Sequence, residues 1–584
     1  METSAPARQS GEAVVSGATA VALLSRVRTI GWCVVAGFGL IEAAYSRHTM
    51  QADGISYLDM GDAIFRGDWT MVANAYWSPL YPFLEGLVLR VLHPSAPWEF
   101  TVVHYVNFLI YLFAFGCFEY LLRAIVAVPL SADTDSVSTS LPRWTIFALG
   151  YTIFLWSSLS LITMERVTPD MLMAGFVYLA VGLLLRIWQQ PAMLWRFFLI
   201  GAVLGLGYLA KAPLFALSLV FFVFLWILAG NWRRAVPGVL AAALTFGLVA
   251  APFAALISRA KGRFTFGDTG KINYVFLVDG AGPGWYFQNL GTAGGHYKHP
   301  ARRIFDAPPI YEFATPIKGT IPIWYDPSYW ADGAVPRVHP TQEVALIIHY
   351  VGFYLELIFT SQGPLLVGLL LLCFLGGRKS FLRQLAAYWP VWLMGVAGLG
   401  MYSLIHVELR YVAVFFTLVW VGLFSGLLVP SSRDRLRVVS LLTLAVVITM
   451  TAPLALSAGE HLVHVVYSFA QEPDNQWQVA EDLRRLGVSP GNRIGRIGGR
   501  HGTGWARLLR VTVVAEVPRS NARDYWYATP EQQARVIEAF RHLGVTAIVA
   551  EQIPPLEVFT PAPGWVKLGD GTFYAWKMPP PGQE

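Results

Sequence analysis

Long apolar runs alternate with short basic segments through the first three quarters of the chain, and the last quarter changes character. An apolar run of about 17–25 residues is the length a helix needs to cross a bilayer. Spanning helices are therefore expected near 29–46, 100–128, 144–162, 170–188, 197–212, 213–230, 236–258, 361–377, 387–406, 411–429 and 438–456, eleven in all. The nearly continuous run 197–230 divides at Lys211-Ala212-Pro213, because a charge followed by a proline marks a break.

The basic residues order these spans. Arg143, Arg186, Arg196, Arg233, Arg234, Arg378, Lys379, Arg383, Arg433, Arg435 and Arg437 all fall on the side of the N-terminus. The bias of Lys and Arg toward cytoplasmic loops makes that side the cytoplasm. An odd number of spans then puts the C-terminus outside. The longer segments, 47–99, 259–343 and 457–584, face outward, so the working surface is expected there. The N-terminus reads as an uncleaved anchor flanked by Arg26 and Arg28.

Residues 457–584 read as a soluble α/β unit beyond a membrane module of residues 1–456. "WQVAEDLRRLG" and "PEQQARVIEAFRHLG" have helical spacing, while "RIGRIGG", "VTVVAEV" and "VTAIVA" read as strands, which suggests a small parallel sheet. The glycine cluster "GRIGGRHGTGW" fails the dinucleotide fingerprint, because Arg507 stands where the third glycine belongs.

Composition agrees. Of 584 residues, 55% are hydrophobic and only 14% charged, against about 25% in an average soluble protein. The class is a polytopic, mainly α membrane protein. Cys33, Cys117 and Cys373 each lie inside an apolar run and read as packing residues, with neither a disulfide framework nor a zinc motif. The net charge of +6 resides largely in loops between spans and gives no reason to invoke nucleic acid.

Candidate chemistry concentrates at four outward junctions. The first is "ADGISYLDMGDAIFRGDW" (52–69), directly after the first span. Asp59, Asp62 and Asp68 suit the solvated face of an interfacial helix. Asp53 stands nearest the membrane exit, where a carboxylate can serve as a general base on a hydroxyl, with Tyr57 one turn away. The second junction, "TMERVTPDMLM" (163–173), carries Glu165, Arg166 and Asp170. Asp170 also suits the dipole of a helix capped by Thr168. The third is "GYLAKAPLF", where Lys211 reads either as a snorkelling residue or as a cation for an anionic ligand. The fourth, "HVELRYVAVFF" (406–416), holds His406, Glu408, Arg410 and Tyr411. An arginine fork at headgroup depth suits a phosphate, and the local charges also suit an interfacial anchor. Together the junctions describe one mouth with carboxylates to activate a hydroxyl and cations to hold a phosphate.

In the order "DGISYL", "TPD", "GYLAKAP" and "ELRY", residues 29–456 resemble the GT-C glycosyltransferases that use lipid-linked sugars, in particular the protein O-mannosyltransferases and lipid A aminoarabinose transferases. The resemblance implies a GT-C bundle of about eleven helices with external juxtamembrane helices, a polyprenyl-phosphate-linked sugar donor, and a lipid, glycan or protein acceptor. It implies Asp53 as the catalytic base and Asp170 as a residue that orients acceptor or sugar. Lys211 and Arg410 would contact the donor phosphate, and Tyr57, Glu165, His406, Glu408 and Tyr411 would line the substrate site. Family members often carry two adjacent acids in the first loop. Here Gly54 follows Asp53, and Asp59 is the candidate to share the second acid's role.

No cofactor is required by such a displacement. A divalent metal is possible, but no ligand cluster demands one, and His296 and His299 in "GGHYKHP" are a weak candidate pair. Trp324, Tyr325, Tyr329 and Trp330 in the large loop are candidates for stacking on sugars, or for packing that loop as a lid. A lipid-linked-glycan transporter and a non-catalytic glycan-binding scaffold are the alternatives. Against transport, no repeat relates the two halves and the charges gather at one face. The expected location is a bacterial inner membrane.

Overall fold

The computed structural model describes residues 6–128, 138–279, 302–313, 318–326, 335–376, 385–386, 388–430, 432–468, 475–499, 503–551, 563–569 and 571–579. Helices dominate. They are α1 Pro6–Tyr45, α2 Ala52–Arg66, α3 Trp69–Val72, α4 Leu80–Leu92, α5 Glu99–Ile125, α6 Arg143–Trp156, α7 Asp170–Gln189, α8 Leu194–Ala210, α9 Pro213–Leu228, α10 Trp232–Lys261 and α11 Thr269–Leu277. They continue as α12 Pro322–Tyr325, α13 Pro340–Thr360, α14 Gly363–Gly376, α15 Trp389–Ser403, α16 Leu409–Ser425 and α17 Arg433–Ser468.

Among the described residues, seven helices are long and apolar enough to cross a membrane: Val21–Tyr45, Ala96–Ile125, Arg143–Ile162, Asp170–Gln189, Trp232–Lys261, Pro340–Thr360 and Asp434–Ser468. Leu194–Ala210, Pro213–Leu228, Gly363–Leu375 and Leu409–Ser425 are shorter apolar helices. The protein is thus a mainly α membrane protein with a small sheet at its C-terminal end. The break at Lys211 is where it was expected. Pro213 occupies the first turn of α9, where its missing N–H leaves no bond unmade.

The eighth span, expected at 361–377, is matched by α14, but a further apolar helix that the sequence reading did not place begins before it, at Pro340. Tyr354 donates to the Leu399 carbonyl at 3.1 Å, near the Ser403 end of α15. Gln362 accepts from Trp420, almost three turns along α16 from Arg410. Gly368 meets Val446 of α17 deeper still. So α13 and α14 form one descent, interrupted at Ser361-Gln362. Two apolar segments thus follow one another along α15, α16 and α17 where the hydropathy reading placed one.

At the opposite end, the buried Glu119 carboxylate collects Arg28 at 3.1 Å, Arg123, Trp32 and, at 3.2 Å, Tyr151. A short ladder there pairs β1 Ser138–Ser140 with β4 Leu428–Pro430.

The C-terminal unit contains α18 Asn475–Arg485, α19 Gly504–Leu509, α20 Ala522–Trp526 and α21 Pro530–His542 around one sheet. Its strands are β2 Arg302–Asp306, β3 Pro309–Glu312, β5 Arg493–Ile497, β6 Thr512–Val517, β7 Ala547–Ala550, β8 Trp565–Leu568 and β9 Phe573–Lys577, in the order β2-β3-β6-β5-β7-β9-β8. The expected parallel sheet is mixed. Only β6-β5-β7 is parallel, and both flanks are antiparallel. The large loop supplies β2 and β3, with Tyr311 opposite Glu516. The last membrane helix runs to Ser468, beyond the 456/457 boundary drawn from hydropathy.

Candidate active site

The first helix after α1 is not the solvated surface helix that Asp59 and Asp62 suggested, and Asp68 lies beyond it as the N-cap of α3. Residues 54–61 of α2 are buried. Its N-terminus opens at the mouth of the bundle and carries Asp53 in the first turn, with a side chain 20% exposed. Gly54 is there for space. A Cβ at this position would lie 2.9 Å from the Val167 Cβ and 2.4 Å from the Met50 Sδ. A second acid next to Asp53 has no room, because the 163–169 loop packs directly on that face of α2.

That loop leaves a π-helical turn at Ser157–Ile162 through Thr163, whose φ is 66°. Asp170 opens α7. Pro169, not Thr168, stands at the N-cap, and no side chain caps the helix. Asp170 is 1% exposed and pairs with Lys211, which lies between α8 and α9. The Lys211 ammonium also sits 3.7 Å above the Tyr411 ring. Burial pulls its pKa below the ordinary lysine value, against the upward pull of Asp170.

Arg410, in the first turn of α16, joins the junctions. Its Nη1 and Nη2 reach Asp53 Oδ2 at 3.3 and 3.4 Å. Its Nε donates to Glu408 Oε2 at 2.7 Å, and its Nη1 stands 3.8 Å from Asp170 Oδ2. Glu408 also faces His406 at 3.4 Å and Arg166 at 3.8 Å. Burial pulls the Glu408 pKa upward, but bonds and charges from His406 and Arg410 outweigh it and hold the carboxyl at about 2. The Tyr57 hydroxyl is pushed well above its ordinary pKa by burial and then by Asp53 and Asp170. The Tyr57 ring lies one turn along α2 from Asp53, edge-on to Trp77 and Tyr81.

Asp53, Tyr57, Asp170, Lys211, His406, Glu408, Arg410 and Tyr411 thus meet at one mouth. Glu165 stands at its rim with an exposed side chain, and only its backbone carbonyl is held, by Thr49 at 3.3 Å. Asp59 lies elsewhere. It is 5% exposed and accepts from the Thr320 N–H at 2.6 Å, the Thr320 hydroxyl at 2.9 Å and Arg507 at 2.8 Å. Six residues along a helix turn it about 240° away from Asp53. Its place is in a structural junction with the C-terminal unit, so a share in acceptor handling does not fit it.

Three further residues adjoin the site: Trp324 and Arg166, which the sequence offered without tying them to Asp53 or to Glu408, and Tyr76, which it did not single out. Trp324 donates its indole N–H to Asp53 Oδ1 at 3.1 Å. Arg166, with a side chain 54% exposed, brings a third cation to the rim. The Tyr76 hydroxyl is raised by burial and then by Asp53. The aromatic run "IPIWYDP" was the available signal for Trp324, but nothing in the sequence ties it to Asp53. Tyr325, proposed alongside it as a stacking residue, is instead buried, with its hydroxyl on the Met71 carbonyl at 2.8 Å. Tyr329, Trp330, His296 and His299 lie outside the described residues. Among the described residues, no group of three or more His, Cys, Asp or Glu is placed to hold a metal.

Chemically, the mouth offers two partly exposed carboxylates, Asp53 and Glu408, on one arginine fork, a buried Lys–Asp pair one contact away, and an extra cation at the rim.

No protein-family model matches the chain, and no curated protein does. Among solved structures, the chain is similar to ArnT from Cupriavidus metallidurans in the apo state. Identity is 14%, coverage is 96% of this chain and 98% of that one, and the TM-score is 0.40. It is likewise similar to ArnT bound to undecaprenyl phosphate, at 15% identity over 95% and 97% of the two chains, with a TM-score of 0.42. The Archaeoglobus fulgidus oligosaccharyltransferase, in complex with Zn and sulfate, matches at 13% identity over 88% of this chain and 68% of that one, with a TM-score of 0.44. ArnT and the oligosaccharyltransferase are GT-C glycosyltransferases, the class that the sequence motifs resemble.

Proposed function

We propose that this protein is a membrane glycosyltransferase that moves a sugar from a polyprenyl-phosphate donor to an acceptor hydroxyl, with inversion at the anomeric carbon. The observation that carries this reading is the convergence of Asp53, Arg410, Asp170 and Lys211, from four distant junctions, at one bundle mouth.

Asp53 takes the proton of the acceptor hydroxyl as its oxygen attacks the anomeric carbon. The bond from that carbon to the phosphate oxygen breaks, and the electron pair leaves with the polyprenyl phosphate. Arg410 and Lys211 face the growing negative charge, and Arg166 meets the phosphate at the rim. Both inner cations are already paired with carboxylates. The donor phosphate adds to a preorganised, charge-balanced cluster, so neither cation has to be drawn out of water for the reaction. Tyr57, His406, Glu408 and Tyr411 shape the surrounding wall, and Asp170 holds Lys211 and Arg410 in place.

In this reading the site face is external, the N-terminus is cytoplasmic and the C-terminal unit lies outside a bacterial inner membrane. The reaction routes no step through a metal or cofactor. The lipid is the donor's carrier, and the acceptor is a lipid, glycan or protein hydroxyl. The membrane module extends through α17, and the external unit comprises the C-terminal elements together with β2 and β3.

The test supplies undecaprenyl-phosphate-linked glucose, mannose and 4-amino-4-deoxyarabinose, each radiolabelled, to the protein in nanodiscs with an envelope extract as acceptor. Wild type is expected to transfer label from one of them. Asp53→Asn is expected to bind that donor equally and to transfer about 10²–10⁴-fold more slowly. Normal turnover by Asp53→Asn refutes the base assignment, and failure of the wild type to bind any donor refutes the reading.

A further inference from the structure

Asp53 presents two oxygens, and they are engaged differently. Oδ2 faces the Arg410 fork. Oδ1 accepts the indole N–H of Trp324 at 3.1 Å. An N–H donor on this oxygen stands in the place of an acceptor O–H waiting to be deprotonated. The indole is half-buried, and the Asp53 side chain it caps is only 20% exposed.

The segment that carries Trp324 is held on both sides. Before it, Thr320 donates twice to Asp59, and its carbonyl accepts from Val513 N–H at 3.0 Å in β6. After it, the Tyr325 carbonyl accepts from Asn74 at 2.6 Å and from Trp77 at 2.9 Å, and the Tyr325 hydroxyl bonds the Met71 carbonyl. Lys318 reaches the Thr70 carbonyl at 2.9 Å. Trp324 is thus presented to Asp53 by a short helix, α12, pinned to α2, α3 and the C-terminal sheet.

We infer that Trp324 is a positioning and specificity residue that reserves Oδ1 of Asp53 for an acceptor hydroxyl and keeps water from using it. The inference rests on the transfer reading above. Without acceptor, the indole N–H occupies Oδ1. With acceptor, the hydroxyl of a bound sugar or lipid, supported by its own contacts, displaces it. A single water lacks those contacts and does not. The reaction prevented is hydrolysis. A water oxygen would bond to the anomeric carbon, its proton would pass to Asp53, and the carbon–phosphate-oxygen bond would break with the electron pair leaving on polyprenyl phosphate.

The experiment measures acceptor-free release of labelled sugar from the same three undecaprenyl-phosphate donors, with donor binding followed by native mass spectrometry. Trp324→Phe keeps an aromatic ring and removes the N–H. It is expected to hydrolyse donor about tenfold faster than wild type, the scale of one lost hydrogen bond. Trp324→Gln, which keeps a donor, is expected to stay near the wild-type rate. Asp53→Asn combined with Trp324→Phe is expected to lose the gain. If Trp324→Phe binds donor and hydrolyses it no faster than wild type, or if the gain survives loss of Asp53, the inference is overturned while the transfer reading stands. If wild type binds none of the donors, the transfer reading fails and this inference with it.

Discussion

Arg507 stands where a dinucleotide loop would have needed glycine, and it is the most consequential cation outside the site. Its side chain is 2% exposed and touches three carboxylates: Asp59 at 2.8 Å, Asp62 at 2.7 Å and Glu99 at 2.8 Å. Two of these are almost as buried as the arginine, and Asp62 is 29% exposed. Arg507→Met keeps the volume and removes the charge. Arg510 still reaches Glu99 at 2.6 Å, so the carboxylate left stranded is Asp59. Removing one partner of a buried pair typically costs about 3–5 kcal/mol. An independent bound comes from protonation. A carboxyl with an ordinary pKa of 3.8 takes up a proton at pH 7 for about 4 kcal/mol, at 1.36 kcal/mol per pH unit, and the stranded charge cannot cost more than its neutralisation. The same argument sets the sign of the pH dependence. Burial already raises the Asp59 pKa, and loss of Arg507 raises it further. The folded variant then binds a proton that the unfolded chain releases above its ordinary pKa, so its deficit grows as pH rises. At pH 5 the bound falls to about 1.6 kcal/mol. The assay is the half-life of native protein in nanodiscs at fixed temperature, for wild type, Arg507→Met, Asp59→Asn and the double variant at pH 5 and pH 7.5. Arg507→Met is expected to decay far faster at pH 7.5 than at pH 5, and the double variant to recover much of the loss. Equal decay at both pH values, or no recovery in the double variant, refutes the reasoning.

Gly54→Ala places a methyl against Val167 and Met50, and overpacking of this kind costs about 1–3 kcal/mol, readable as faster thermal inactivation that Met50→Ala partly relieves. Glu408, held at about 2 against an ordinary 4.5, contributes stability that is complete above pH 4.5 and is lost as pH falls through 2. With a third of the side chain exposed, that contribution is about 1–2 kcal/mol, and the difference between wild type and Glu408→Gln is expected to shrink from pH 6 to pH 2.5. Lys211→Met strands Asp170 and is expected to lose about 3 kcal/mol, since Arg410 remains 3.8 Å from that carboxylate. Adding Asp170→Asn is expected to restore stability but not donor binding by native mass spectrometry, which separates the structural role of Lys211 from its contact with the phosphate.

Hydropathy and charge alone determined the membrane class, the break at Lys211-Ala212-Pro213, and which junctions carry acids and bases. These are one-dimensional properties: the length of an apolar run sets whether a helix can cross, and a proline or charge within it sets where the helix ends. The interrupted descent of α13 and α14 was not legible in full, because continuity across Ser361-Gln362 depends on the partners Leu399, Trp420 and Val446 in distant helices. The mixed sheet escaped for a similar reason. One of its flanks, β2 and β3, comes from residues 302–312, and strand pairing over such a separation leaves no local periodicity.

At the site, the division is between which residues exist and which ones touch. The sequence supplied eight of the residues at the mouth and named Asp53, yet it also offered Asp59 in the same helix for a share in acceptor handling. Only the rotation of α2 separates them, with Asp53 facing Arg410 and Trp324 and Asp59 facing Arg507 and Thr320. A helix pattern states that two residues lie on different faces. Which face opens on the membrane mouth and which on the C-terminal unit is decided by the elements packed against it, and those elements come from more than 200 residues away.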